Sequence, residues 1–306
     1  MPVAKMHDDE LDIGKPLVSR LIAEQFPGWA GLPLEPVASA GTDNALYRLG
    51  NDRVVRLPRH ASAAQQVEKE SRWLPRLAPQ LPLAVPVPLA LGMPASGYPF
   101  HWSVCDWLPG DDAVESPIAD PEAAAVTLSW FISSLQKIDI TGGPPPGTHN
   151  FFRGASLASR DAQTRAAIES LNGLVETAPL TQAWNTALHI EPWDKPPVWL
   201  HGDIHAGNLL TNQGRLTAVI DFGGLGVGDP ACDLMVGWNL LTAETRATFR
   251  SGLTVDDATW ARARGWALSV AVVALPYYLD TNPVLVAISR HTIEQVLADQ
   301  AEELKD

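Results

Sequence analysis

The spacing of hydrophobic positions changes along this chain, and the change predicts a strand-rich first third and a helix-rich remainder. Leu17, Leu21 and Ile22 recur at helical spacing over 16–26, and that run stops at Pro27-Gly28. Short β-type runs follow at 34–40, 45–49 and 53–57, the last two joined by Gly50-Asn51-Asp52, a composition suited to a tight hairpin. Ser62 is placed to cap a helix running to about Leu77, whose end Pro75 is expected to distort. Residues 79–99 are proline-dense and read as extended segments and turns. Residues 100–107 read as a further strand, ended by Leu108-Pro109-Gly110. Asp120-Pro121 then opens a helix to about Ile138. The breaker cluster 141–147 reads as a long loop, followed by helical segments, a strand at 198–200 and a hairpin turning at 212–214. From about Pro230 the chain reads as mostly helical, with 266–279 too short to span a membrane and best buried in a core.

This order predicts an α+β fold with a small β-rich lobe followed by a larger, mostly helical one. The expected division is 1–107 for the first lobe, with a hinge at about 105–108, and 108–306 for the second. With 306 residues, 46% of them hydrophobic and 19% charged, the chain is long and apolar enough for two packed cores. A net charge of −13 argues against a nucleic-acid partner and is compatible with a cationic small molecule, although acidity alone serves solubility in many proteins. Two cysteines, Cys105 and Cys232, make no disulfide framework and fit a reducing compartment. Residues 1–11 are polar and lack an apolar leader core, so the expected location is cytoplasmic, with no membrane partner. Nothing in the sequence sets an oligomeric state.

The chemistry concentrates in His201-Gly202-Asp203-Ile-His205-Ala-Gly207-Asn208 and in Ile220-Asp221-Phe222-Gly223. Asp203 and Asn208 have the spacing of the kinase catalytic loop, and Asp221 ends an apolar run before Phe-Gly. Phosphoryl transfer needs one carboxylate to orient a hydroxyl and accept its proton, and other oxygens to hold magnesium on the phosphates. Asp203 is the candidate base; Asn208 and Asp221 are the candidate metal ligands. The stretch between Asp203 and Asp221 accommodates a strand, a turn and a return strand, which would bring its ends together. His201, Asp203 and His205 could also be read as a zinc or two-metal hydrolase site, but no further ligand stands at a familiar spacing nearby. Asp229, before Pro230, suits a helix N-cap, and Asp233 suits the first helical turn.

His-Gly-Asp-x-x-x-x-Asn at 201–208, Ile-Asp-Phe at 220–222 and Gly-Asp-Pro-x-x-Asp at 228–233 make the chain similar to the aminoglycoside phosphotransferase family, which includes macrolide phosphotransferases. The resemblance implies a protein-kinase-like fold and an ATP-dependent O-phosphotransferase, with GTP as an alternative donor, Mg2+ as cofactor and a small-molecule hydroxyl as acceptor. An aminoglycoside or macrolide is the natural acceptor, though choline, sugar and amino-acid kinases resemble this fold. It implies that Asp203 contacts the acceptor and that His201 holds the loop. Arg56 stands where the family usually has its phosphate-binding lysine, a departure, since arginine is bulkier and pairs bidentately. Glu70 is its implied partner, with Glu68 competing. Ser39, Gly41 and Thr42 would cover the phosphates, and Asp106, Trp107 and Leu108 would form the adenine-facing hinge, with Cys105 lining the pocket. The competing readings are a non-catalytic nucleotide-binding pseudokinase, favoured only by Arg56, and the hydrolase. Tryptophans 130, 184, 193, 238 and 266 could form an aromatic acceptor wall, although helical tryptophans more often belong to cores.

Overall fold

In the computed structural model, residues 11–37 and 43–303 are described. Helix α1 (Lys15–Gln25) precedes strands β1 (Leu34–Pro36), β2 (Asn44–Leu49) and β3 (Arg53–Pro58), then helix α2 (Ala61–Leu77), β4 (Pro88–Gly92) and β5 (Trp102–Asp106). These five strands form one antiparallel sheet in the order β1-β2-β3-β5-β4. Its core is Val18 and Leu21 of α1 against Leu49, Val55 and Val104, which project from one face by strand alternation.

Beyond the hinge come β6 (Asp111–Asp112), α3 (Pro121–Gln136), α4 (Asp161–Ser170), α5 (Thr177–Leu188) and β7 (Val198–Leu200). The hairpin β8 (Leu209–Asn212) and β9 (Arg215–Val219) is followed by β10 (Gly226–Gly228), α6 (Ala231–Leu234), α7 (Val236–Asn239), α8 (Ala243–Ser251), α9 (Asp257–Tyr278) and α10 (Pro283–Glu303). A large second core gathers Phe131, Trp184, Trp199, Trp238 and Trp266. The fold is therefore α+β and two-lobed, with a sheet lobe and a helical lobe.

Helix α2 ties the lobes together. It starts on the sheet side, but Trp73, Leu74 and Leu77 belong to the helical lobe's core, and Trp73 meets Trp199 edge-on at 4.8 Å between ring centroids. Two local expectations are corrected. His60, not Ser62, caps α2: its Nδ1 accepts from the Ala63 amide at 3.3 Å, while Ser62 already lies in the first turn with its Oγ 2.7 Å from the same nitrogen. The helix runs to Leu77 as expected, with Pro75 inside it. The first strand ends at Pro36 rather than Ala40, with Val37 still donating to the Leu46 carbonyl. Residues 38–42, including Ser39, Gly41 and Thr42, lie outside the described residues. No helix among the described residues is long and apolar enough to cross a membrane.

Candidate active site

The site is built on the loop after β7. Gly202 turns the chain at φ 87°, and a Cβ there would come within 2.5 Å of the Gly224 carbonyl, so both sterics and conformation demand glycine. Asp233 secures this turn: its two oxygens accept from the backbone amides of His201 (2.7 Å) and Gly202 (2.6 Å). It is fully buried. The sequence suggested a helix-dipole role for Asp233; the structure makes it the brace of the turn at His201 and Gly202. Asp229 stands one residue before the N-cap, which is Pro230 rather than Asp229; it accepts from the Ala231 amide (3.0 Å), and both of its oxygens also bind Arg262 (2.7 and 3.2 Å).

His201 is buried, its Nδ1 accepting from the Asp203 amide (3.1 Å) and its Nε2 facing the Ile220 carbonyl (3.0 Å). Burial pushes its pKa down to about 4, so the ring is neutral, with both nitrogens engaged. His205 Nδ1 accepts from the Gly207 amide (3.1 Å), and its Nε2 lies 3.6 Å from Asp203 Oδ2. Both histidines are loop supports, which removes the donor set that the zinc reading needs. Among the described residues, no three His, Cys, Asp or Glu side chains gather as a metal cluster.

Asp203 keeps its side chain 37% exposed to the cleft. Partial burial pushes its pKa up, but the His205 hydrogen bond and the charges of His205 and Arg153 outweigh this and hold the carboxyl well below the usual range. The hairpin β8–β9 returns the chain as expected, with the Ile220 amide donating to the Asn208 carbonyl (2.9 Å). Asn208 spends its amide nitrogen on the Asp203 carbonyl (2.9 Å), which leaves Oδ1 as its free acceptor. Asp221 adopts a left-handed backbone at φ 61°, unusual without glycine, and accepts from the Gly223 amide (3.3 Å) with one oxygen. Its other oxygen has no hydrogen bond among the described residues. Burial pushes the Asp221 carboxyl up to about 6; Arg56 opposes this, while Asp43, Glu70 and Asp203 add to it.

On the sheet side, Arg56 of β3 pairs with Glu70 of α2 through two contacts, Nη1–Oε2 at 2.7 Å and Nη2–Oε1 at 3.4 Å, both residues buried. Burial opposes the guanidinium charge, but Glu70 more than offsets it and Arg56 stays protonated. Glu68, the competing partner, is instead on the surface with His101. Asp106, Trp107 and Leu108 line the cleft beside Arg56, but the Trp107 amide is committed to the Asp52 carbonyl (2.9 Å). Cys105 does not line the cleft; it is buried in β5, with its thiol toward Ser103.

Arg56, Asp203, Asn208 and Asp221 thus share one interlobe cleft of about 1260 Å³. Sequence reasoning missed several of its parts. Lys69 of α2 reaches the Gly223 (2.6 Å) and His149 (3.0 Å) carbonyls and pins α2 to the segment after Asp221. Burial lowers its pKa to about 8. Arg153 approaches Asp203 at 3.5 Å. Beyond the hinge, where Trp107 lines the cleft, the aromatic lining is Phe151, Phe152, Tyr277 and Tyr278 rather than the tryptophans named from sequence: Trp184, Trp238 and Trp266 are core, and Trp130 is 62% exposed outside the cleft. Two consecutive aromatics after a Gly/Pro-rich loop were the available signal.

The architecture is that of a kinase-like fold, and comparison with known proteins agrees. The model of the APH phosphotransferase enzyme family matches residues 35–266, and the chain belongs to this family. An aminoglycoside 3'-phosphotransferase from Escherichia coli is 27% identical over 152 residues, and one from Salmonella typhimurium 33% over 152 residues; each match covers 46% of this chain and 52% of the relative. The chain thus spans about half the length of the curated relatives it matches. The fold of APH(2")-IIia, solved with GDP and kanamycin, superposes with a TM-score of 0.71 at 19% identity, covering 93% of this chain and 98% of that one. The macrolide 2'-phosphotransferase MphH from Brachybacterium faecium gives 0.61 at 22% identity over 91% of this chain and 98% of that one.

Proposed function

We propose that this protein transfers the γ-phosphoryl group of ATP or GTP to a hydroxyl of a small molecule in the cytoplasm. The observation that carries this reading is the convergence of Asp203, Asn208 and Asp221 with the Arg56–Glu70 pair in one cleft. The acceptor hydroxyl lies against Asp203, which orients it and takes its proton as the oxygen–phosphorus bond forms and the bond to the nucleoside diphosphate breaks. Arg56, held by Glu70, binds the non-transferred phosphates, and the hinge at Asp106 and Leu108 receives the base. Ser39, Gly41 and Thr42 belong to the same proposal as phosphate-covering residues. The donor set fits magnesium: Asn208 Oδ1 and the free Asp221 oxygen are hard oxygen ligands, and the raised Asp221 carboxyl is short of a counter-charge. When bound, the ion neutralises phosphate charge; the protein supplies the geometry.

Related proteins have been solved with GDP and kanamycin or with gentamicin bound, which makes an antibiotic hydroxyl the first acceptor class to try. The test is magnesium-dependent phosphate transfer, detected by mass, across aminoglycosides, macrolides, simple amino alcohols and hydroxy acids. Phosphorylation of any of these that disappears in Asp203→Asn supports the reading. Nucleotide binding with no transfer to any hydroxyl would favour a binding protein instead.

A further inference from the structure

The wall of the cleft beyond Asp203 has an unusual charge pattern. Residues 148–163 and 235–292 line it with two arginines, Arg153 and Arg160, and no carboxylate. Helices α9 and α10 contribute apolar side chains there, among them Val270, Ala271, Ala274, Leu285 and Ile288. Of the cleft's other acids, Asp203 and Asp221 belong to the site already described, Asp106, Asp111, Asp112 and Glu115 stand on the hinge side, and Asp43 belongs to the sheet lobe.

Arg160 is only 8% exposed. It is oriented by Ser269 of α9, whose Oγ accepts from its Nε (2.8 Å) and also lies 2.7 Å from Thr164 Oγ1. Its two terminal nitrogens have no hydrogen bond, and it makes no ion pair, among the described residues. Among the described residues Arg153 makes an ion pair with Asp203 alone, at 3.5 Å, with the Asp233 carboxyl also feeling its charge, and its Nε and Nη1 are buried without partners. Both guanidinium groups lie over the Trp266 ring, at 5.9 and 5.5 Å from its centroid, and the Trp266 indole N–H is itself buried and unpartnered. A ring face attracts a cation but accepts little from its terminal N–H groups. The neighbouring Cys232 thiol is pushed up to about 12 by burial and supplies no negative charge at neutral pH. Burial, then Arg153, lowers the Arg160 pKa to about 10, as expected of a cation without a counter-ion.

We infer that the acceptor is an apolar molecule whose reacting hydroxyl is flanked by a carboxylate, the carboxylate seating on Arg160 and Arg153 while the apolar body lies along α9 and α10. The inference rests on the phosphotransferase reading and narrows its acceptor. It disfavours a polycation, because two arginines repel the amines that would enter this wall.

Isothermal titration of the full chain with 3-hydroxydodecanoate, its methyl ester and the corresponding amino alcohol tests it, with kanamycin as a fourth probe. The acid should bind about ten- to hundredfold more tightly than the ester, the worth of a charge-assisted contact. The amino alcohol and kanamycin should bind more weakly still. Arg160→Met should erase the preference of acid over ester, and Arg160→Lys should retain most of it. Equal binding of acid and ester, tighter binding of kanamycin, or no binding of any probe overturns the inference. Should Arg160→Met fail to fold, the comparison on the unmodified protein decides alone. Mg-ATP titration in the same buffer is read separately: its failure strikes the phosphotransferase reading, whereas acid selectivity is measured without nucleotide.

Discussion

Arg56 and Arg160 occupy opposite walls of one cleft, and their surroundings differ in a single respect. Each is a buried arginine, Arg56 within β3 and Arg160 just before α4, but Arg56 carries its own carboxylate in Glu70, whereas Arg160 has a serine hydroxyl and a tryptophan face. A neutralised guanidinium can wait for a ligand at little cost, because the pair folds as a unit. An uncompensated one destabilises the free protein and recovers that energy when an anion arrives. The sheet-side wall is thus complete before binding, and the helical wall is completed by what binds.

Asp203 lines the same cleft, and its removal should have the largest effect. Asp203→Asn should lower kcat by about 10²–10⁴-fold while nucleotide affinity, measured by calorimetry, changes little. Near-normal turnover would move the base elsewhere. Next comes Arg56→Ala, which strands Glu70 in the interior and should cost about 3–5 kcal/mol of stability in chemical denaturation. It should also reduce kcat/KM for nucleotide about ten- to hundredfold, with Arg56→Lys restoring most of the loss. A kinetically silent Arg56→Ala would make the two walls alike. His201 contributes a pH signature. Its pKa is about 4 when folded against the usual 6.5, so its stabilisation is full above pH 6.5 and is lost as pH falls toward 4, when the unfolded chain gains a proton that the folded one resists. The loss between pH 7 and pH 4 is about 3 kcal/mol. The difference in denaturation free energy between the parent and His201→Gln should therefore shrink between pH 7 and pH 4; a constant difference refutes it. The smallest expected effect has the opposite sign to that of Arg56. Arg160→Met should raise the melting temperature in the absence of ligand by about 2–4 °C, since it removes a buried charge without a partner. A lower melting temperature would mean that Ser269 and Trp266 suffice for it.

The parts of the molecule legible from sequence are those whose cause is local. The α1 helix, the β2–β3 hairpin, the Asp120 cap of α3 and the β8–β9 hairpin that returns Ile220 to Asn208 all follow from residues near one another in the chain. Glu70 over Glu68 was also readable, because a resemblance fixed its place. What escaped reading comes from contacts between distant segments. Lys69 looks like a surface helical lysine until Gly223 and His149 are folded against it. Nothing local marks Arg153 and Arg160, and only the packing of α9 brings the two guanidinium groups over one tryptophan ring. Asp233 belonged to a quoted motif, yet its position in a first helical turn offered a sufficient local explanation that hid the long-range one. The His60 cap was missed because serine is the more usual cap and stood two residues away.

The left-handed backbone at Asp221 bears on how such a protein could lose its chemistry over generations. Asparagine tolerates that conformation as readily as aspartate, while most other side chains do not, so Asp221→Asn is the substitution the main chain admits most easily. It is a single-base change in the codon. It also removes a buried carboxylate whose pKa of about 6 shows that its charge is held at a cost. The variant should therefore melt higher than its parent while binding magnesium poorly. Drift unchecked by a need for turnover leads, in one step, to a more stable protein that keeps its cleft and has no catalysis to offer.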